Sequence, residues 1–134
     1  MIVLLDTNIL IASKTPTERQ PDLSGFTKLA VSTLSWSELT MGLHATTDLI
    51  EFKARWARLN ALKVGFGEGL PFDDECVAAY DQLLQHVVAR GGSAKAHVID
   101  RMIAATAMVH EMTVVSRDIS GFVGLEGLVS LERR

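Results

Sequence analysis

The sequence predicts an α/β fold: a short parallel sheet with helices on both faces, forming one three-layer α/β/α sandwich. Three observations carry this. Short runs at Val3 to Leu5, Leu29 to Val31, Thr113 to Ser116 and Leu128 to Leu131 have the length of strands rather than helices. Longer stretches with apolar residues at helical spacing lie between them, and strands alternating with helices imply parallel pairing. The first run is apolar at every position and ends at Asp6, the pattern of a strand covered on both faces.

Each element has its own local cause. Residues from about Asn8 to Ala12 start a helix, and Lys14 to Ser24, polar and carrying Pro16 and Pro21, reads as a loop. After the weak second strand, Ser35-Trp36-Ser37-Glu38 has capping-box chemistry, serine first and glutamate three residues on, and predicts a helix start there. Asp48 caps a further helix through about Leu62. Gly65, Gly67, Gly69 and Pro71 then break the chain; Leu70 stands where a dinucleotide fingerprint needs its last glycine. Asp73 caps a helix over about Asp74 to Ala89, which Arg90-Gly91-Gly92 ends with a basic last turn and terminal glycines. His97 to Glu111 is the last helix, with Ile99, Ile103, Ala107 and Met108 on one stripe.

Composition bounds the function classes. The 134 residues, 14.6 kDa, suit one domain spanning 1–134. Hydrophobic residues at 48%, charged residues at 22% and a mean hydropathy of +0.22 exclude a disordered tail. Cys76 is the single cysteine, which excludes a disulfide scaffold, implies a reducing compartment and predicts a core residue. The apolar start at Met1 to Leu5 is too short for a signal peptide, and no window is apolar enough to span a membrane. A soluble, cytoplasmic protein is expected. A net charge of -3 and a pI of about 5.8 argue at first against a nucleic-acid partner.

Four acidic residues stand where a bare carboxylate is awkward. Asp6 ends the first strand, and ligands of open parallel sheets bind just beyond the carboxyl ends of strands. Asp118 lies two residues past the strand ending at Ser116, Asp100 sits in an apolar helix, and Glu38 falls early in its own helix. Each alone has a structural reading: Asp6 as a helix cap, Glu38 as a capping-box partner, Asp100 as the ion-pair partner of Arg101, Asp118 as a turn residue. If the four converge, each close pair repels by about a few kcal/mol at an effective dielectric near 20. Only a compensating cation makes such a cluster tolerable, and all-oxygen ligands favour magnesium or manganese over zinc. Such a pocket activates water and stabilises the leaving oxygen in phosphodiester cleavage.

Four segments carry a family resemblance. They are Leu4-Leu5-Asp6-Thr7-Asn8-Ile9-Leu10, Ser35-Trp36-Ser37-Glu38-Leu39, Asp100-Arg101-Met102-Ile103-Ala104-Ala105-Thr106-Ala107 and Val114-Val115-Ser116-Arg117-Asp118. In order and spacing the chain resembles PIN-domain ribonucleases, specifically VapC-type toxins of bacterial toxin–antitoxin pairs. The family's last motif often reads Thr-x-Asn-x-x-Asp, where this chain has Ser116, Asp118 and Gly121. The resemblance implies a PIN-like fold and a Mg2+-dependent endoribonuclease, with Mn2+ as a substitute. It implies a homodimer held inactive by a VapB-type antitoxin, as a heterotetramer or larger assembly. Asp6 and Asp100 are then the main metal ligands, with Glu38 and Asp118 completing the catalytic pocket directly or through water. Thr7, Asn8 and Ser116 match positions that orient the acidic residues.

The charge objection then weakens. Removing those four from the 16 acidic residues leaves 12 against 13 basic ones, a surface that permits RNA binding. Lys53, Arg55, Arg58 and Lys63 lie on one helix and read as a solvated face, while Arg90, Lys95 and Arg101 lie near the Asp100 segment. His44, His86, His97 and His110 lack zinc spacing and read as partly exposed helix residues; Trp36, Trp56, Phe52 and Met108 read as core or interface. Two rival functions remain open at this stage. One is a non-catalytic module whose acidic pocket only binds a partner. The other is a haloacid-dehalogenase-like phosphatase, which wants a second aspartate where Asn8 stands.

Overall fold

A computed structural model describes residues 1–11 and 21–134. The predicted loop from Lys14 to Ser24 falls largely outside the described residues, as does Ala12 at the end of the first predicted helix. The described chain runs β1 (Ile2–Leu5), α1 (Thr7–Leu10), β2 (Lys28–Val31), α2 (Thr33–Ala45), α3 (Leu49–Phe66), α4 (Asp74–Ala89), α5 (Val98–His110), β3 (Thr113–Ser116) and β4 (Ser130–Arg133). One turn of 3-10 helix over Ile119–Phe122 joins β3 to β4.

The sheet has the order β2-β1-β3-β4, and every pairing is parallel. Because side chains alternate along a strand, its two faces feed two cores. Val3, Leu5, Val31 and Val115 pack with Ile9, Leu10, Trp36, Leu43 and Leu59 from α1, α2 and α3. Leu4 and Val114 pack with Leu83 and Val87 of α4, Ile103, Ala104 and Ala107 of α5, and Phe122 and Leu125. This is the expected three-layer α/β/α arrangement. Val3, Leu4 and Leu5 are fully buried, which explains the uninterrupted apolar run. Cys76 is buried as expected, and Trp36 is in the core while Trp56 is exposed.

Three boundaries differ from the sequence expectations, each for a tertiary reason. The first is the start of α2. Its cap is Ser32, whose side chain accepts from the Leu34 N–H, so Ser35 and Glu38 form no capping box. Ser32 bridges to Leu70, and the Thr33 N–H donates to the Leu70 carbonyl, which ends β2 there and starts the helix three residues early. The second is the end of α3, which runs on to Phe66, where Gly67 closes it with a φ of 75°. The third is β4, two residues later than expected. The Leu128 and Val129 N–H groups turn back to the Leu125 carbonyl, and pairing starts only at Ser130 opposite Thr113. Its Glu132 and Arg133 suit an edge strand, where charge discourages pairing with other chains.

Among the described residues, no helix is long and apolar enough to cross a membrane. The α4/α5 layer is as tightly closed as the sheet itself, since Leu83 and Ile103 are fully buried. Leu83→Ala is expected to lower unfolding free energy by about 2–5 kcal/mol, through lost burial and the cavity left behind. Urea denaturation reads this directly, and a loss below about 1 kcal/mol would show that the layer is loosely packed.

Candidate active site

β1 and β3 are neighbours and parallel, so the residues following each emerge together at the carboxyl edge of the sheet. Asp6 follows β1 and caps α1, its Oδ1 accepting from the Thr7 N–H at 2.9 Å. Its other oxygen, Oδ2, lies 2.9 Å from the Ser116 hydroxyl at the end of β3. The Ser116 hydroxyl also accepts from Asn8 Nδ2 at 2.9 Å, and Asn8 Oδ1 accepts from the Arg117 N–H at 3.1 Å. Asn8 therefore clasps the end of β3 to α1, a structural use of the position where a phosphatase would carry its second aspartate.

A second hydroxyl chain ties Asp6's neighbour to α2. Thr7 Oγ1 donates to Glu38 Oε1 at 2.5 Å, the short distance of a charge-assisted bond. With that proton committed, buried Ser35 donates to Thr7 Oγ1 at 2.8 Å. Ser35 is thus not a helix cap but a support under Thr7, and Glu38, freed from capping, points its carboxylate at the site.

Asp100 and Asp118 approach from the other side. Asp100 lies in the first turn of α5. Among the described residues no ion pair joins it to Arg101, whose buried guanidinium donates instead to the Ser93 carbonyl at 2.5 Å. Asp118 caps the 3-10 turn, accepting from the Ser120 N–H at 2.9 Å, and is exposed. Gly121, buried in the 3-10 turn that Asp118 caps, sets a steric condition: a Cβ there would stand 2.1 Å from Asp100 Oδ2. Where the resembled family's motif often carries its last acid, this chain leaves the space that the Asp100 carboxylate fills.

The electrostatics follow from this crowding. Burial pushes the Asp6 carboxyl up to about 6, the Ser116 and Thr7 hydrogen bonds oppose it, and the Asp100 and Glu38 charges add to it. Burial also raises Asp100; the His97 charge opposes that shift and the Asp118 charge reinforces it. Asp118 is held below its usual range by the Ser120 hydrogen bonds, with Arg133 helping. The structure thus brings Asp6 within electrostatic reach of Asp100 and Glu38, and Asp100 within reach of Asp118. Among the described residues, no three Asp, Glu, His or Cys side chains form a ready-made metal cage.

Sequence reasoning missed three features of this site: the support Ser35 gives Thr7, the space Gly121 leaves for Asp100, and a cavity between α2 and α3 reaching Thr7 and Glu38. No local signal marks the first two. The cavity draws Arg55 and Arg58 of α3 toward the site, although the sequence read them as a solvated face.

A buried strand-end aspartate gathered with other carboxylates at the edge of a four-stranded parallel sheet defines a recognised class. Residues 3–123 match the PIN domain family, and the chain belongs to it. It is 28% identical over 128 residues to Toxin FitB of Neisseria gonorrhoeae, covering 90% of this chain and 91% of that one. It also resembles a solved member of the VapBC family of toxin–antitoxin systems, VapBC-5 from Mycobacterium tuberculosis. That likeness has a TM-score of 0.80 and 26% identity, covering 98% of this chain and 96% of that one. FitAcB from Neisseria gonorrhoeae matches with a TM-score of 0.77 and 26% identity over 98% of this chain and 96% of that one.

The raised Asp6 carboxyl makes stability pH-dependent. Folded Asp6 keeps its proton up to about pH 6, against a usual value of 3.8, so the fold is favoured while Asp6 is protonated. That contribution is complete below about pH 4 and is lost as pH rises through 6, amounting to up to about 3 kcal/mol. Urea unfolding in chelator at pH 4.5 and 7.5 is expected to show most of this loss in the parent and a clearly smaller one in Asp6→Asn, where Asp100 still carries a raised carboxyl. Equal slopes in the two proteins would overturn the assignment.

Proposed function

We propose that this PIN domain, acting over residues 1–134, is a magnesium-dependent endoribonuclease that cleaves RNA phosphodiester bonds. We further propose that it is the toxin of a toxin–antitoxin pair in the cytoplasm. The observation that carries the reading is Asp6: a carboxylate 4% exposed, held at both oxygens, with the Asp100 and Glu38 charges in reach. A buried group under like-charge repulsion is the expected state of a cation ligand without its cation. PIN domains are nucleases as a class, which supports a hydrolase.

The residues fit a hard divalent ion. All the candidate donors are oxygens, and magnesium keeps several of its waters while taking one or two carboxylates, so a pair of aspartates suffices. Asp6 and Asp100 would hold Mg2+, or Mn2+ in its place, with Glu38 and Asp118 completing the shell directly or through water. When bound, the ion supplies a lowered water pKa and charge stabilisation of the phosphate oxygens. The chain's own contribution is rigidity. Ser116 and the Thr7 N–H fix the two oxygens of Asp6, Thr7 fixes Glu38, and Gly121 leaves the Asp100 carboxylate its place.

The named relatives support the partner. A VapB-type antitoxin is expected to cover the acidic pocket and to set a basic side chain in it, since metal-free carboxylates attract a guanidinium as well as a cation. A homodimer, joined with antitoxin into a heterotetramer or larger assembly, is the expected form.

Asp100→Asn keeps the side chain's shape and removes one charge. RNA cleavage is expected to fall more than about 100-fold. In chelator the variant's melting temperature should equal or exceed the parent's, because like-charge repulsion is relieved. Added magnesium should then stabilise the parent more than the variant, as a ligand of the folded state must. The opposite pattern, a destabilised variant and no response to magnesium in either protein, would identify Asp100 as a structural residue and refute the metal site.

A further inference from the structure

Beside the carboxylates lies a half-enclosed cavity of about 190 Å³ between α2 and α3. Its floor is the Thr7–Glu38 pair, its walls include Leu39, Leu59 and Leu62, and Arg58 lines it. Its two arginines are in different states. Arg55 is committed, donating to the Gly42 carbonyl and to Glu51. Arg58 is half-buried and has no hydrogen bond or ion pair among the described residues. A half-buried arginine with no protein partner among the described residues, lining a cavity with leucine walls, is available to a ligand that brings both a flat face and acceptor atoms.

We propose that this cavity seats one nucleobase of the RNA, next to the phosphate that is cut, with Arg58 donating to its acceptor edge. The inference rests on the ribonuclease reading above and adds where sequence preference comes from. Size agrees, since an apolar cavity of about 150 Å³ holds benzene and this one is somewhat larger. Position agrees as well: Thr7 follows Asp6 and the Glu38 charge reaches it, so an occupant touching Thr7 and Glu38 stands beside the carboxylates. Single-stranded RNA offers splayed bases that sit against apolar side chains and guanidinium planes and hydrogen-bond along their edges. A guanidinium pairs best with the two adjacent acceptors of guanine, so guanine is the preferred base.

Gly42 allows a clean test. It lines the cavity, lies inside α2, and a Cβ at this position meets nothing within 4 Å. Gly42→Leu therefore fills the cavity while favouring the helix. The parent, Gly42→Leu and Arg58→Gln would each be incubated with a random-sequence RNA pool and magnesium, and the cleaved ends sequenced. The parent is expected to show a base preference, guanine, at one position flanking the cut. Both variants should lose that preference and cleave the preferred sequence about tenfold or more slowly. On an oligonucleotide made abasic at that position, parent and variants should cleave alike. The magnesium-induced rise in melting temperature should be the same in all three, showing the carboxylates intact. Unchanged profiles in variants that still cleave would overturn the cavity assignment and leave the nuclease reading standing. Unchanged profiles with lost antitoxin binding would make the cavity the antitoxin's. A parent that cleaves no RNA would remove both readings.

Discussion

A carboxylate that is almost completely buried, with two other carboxylates in electrostatic reach, destabilises the fold when it is ionised, and a proton or a cation relieves that cost. Asp6 is that group, and the architecture around it follows from the demand. Directly after the fully buried Val3, Leu4 and Leu5 it has little solvent to turn to, and the Thr7 N–H and the Ser116 hydroxyl hold it instead. Those two donors lower its proton affinity but do not outweigh burial. The remaining imbalance is what a divalent cation would relieve. The same imbalance explains why a basic side chain from another protein would be accepted in its place.

Parallel topology makes the gathering possible. β1 and β3 are adjacent although 110 residues separate Asp6 from Ser116, and both strands deliver their carboxyl ends to the same edge. α2 and α5 reach that edge from opposite layers, one bringing Glu38 and the other Asp100. Asp6, Glu38 and Asp118 are thus carried by different elements and each held by a hydrogen bond that does not involve the other acids, while Gly121 leaves the Asp100 carboxylate its room. Rigid mounting of this kind keeps mutually repelling groups from swinging apart into solvent.

Much of the fold was legible because its punctuation is local. β3 and α4 lie where the sequence placed them: β3 is a short β-branched run, and Asp73 and Gly91 bracket α4. The start of α2 was not legible, because two serines compete for the cap and a contact with Leu70, far along the chain, decides between them. In the site, Asp6 could be singled out by its place at a strand end, and Asp100 by being acidic in an apolar helix. Their mutual reach rests on sheet order, which no single segment encodes. Gly121 and Ser35 fall at motif positions, but their roles could not be read from them, since each matters only through the residue it meets across the fold.

If Asp6 and Asp100 form a cation site, a metal ion supplied to the crystal must settle between them. Crystals soaked in manganese chloride above pH 7, where Asp6 is ionised, would be measured at the manganese absorption edge. An anomalous peak is expected in contact with the Asp6 and Asp100 carboxylates, absent from crystals of Asp6→Asn. A map with no peak beside these two residues, or with the ion held by other groups, would contradict it.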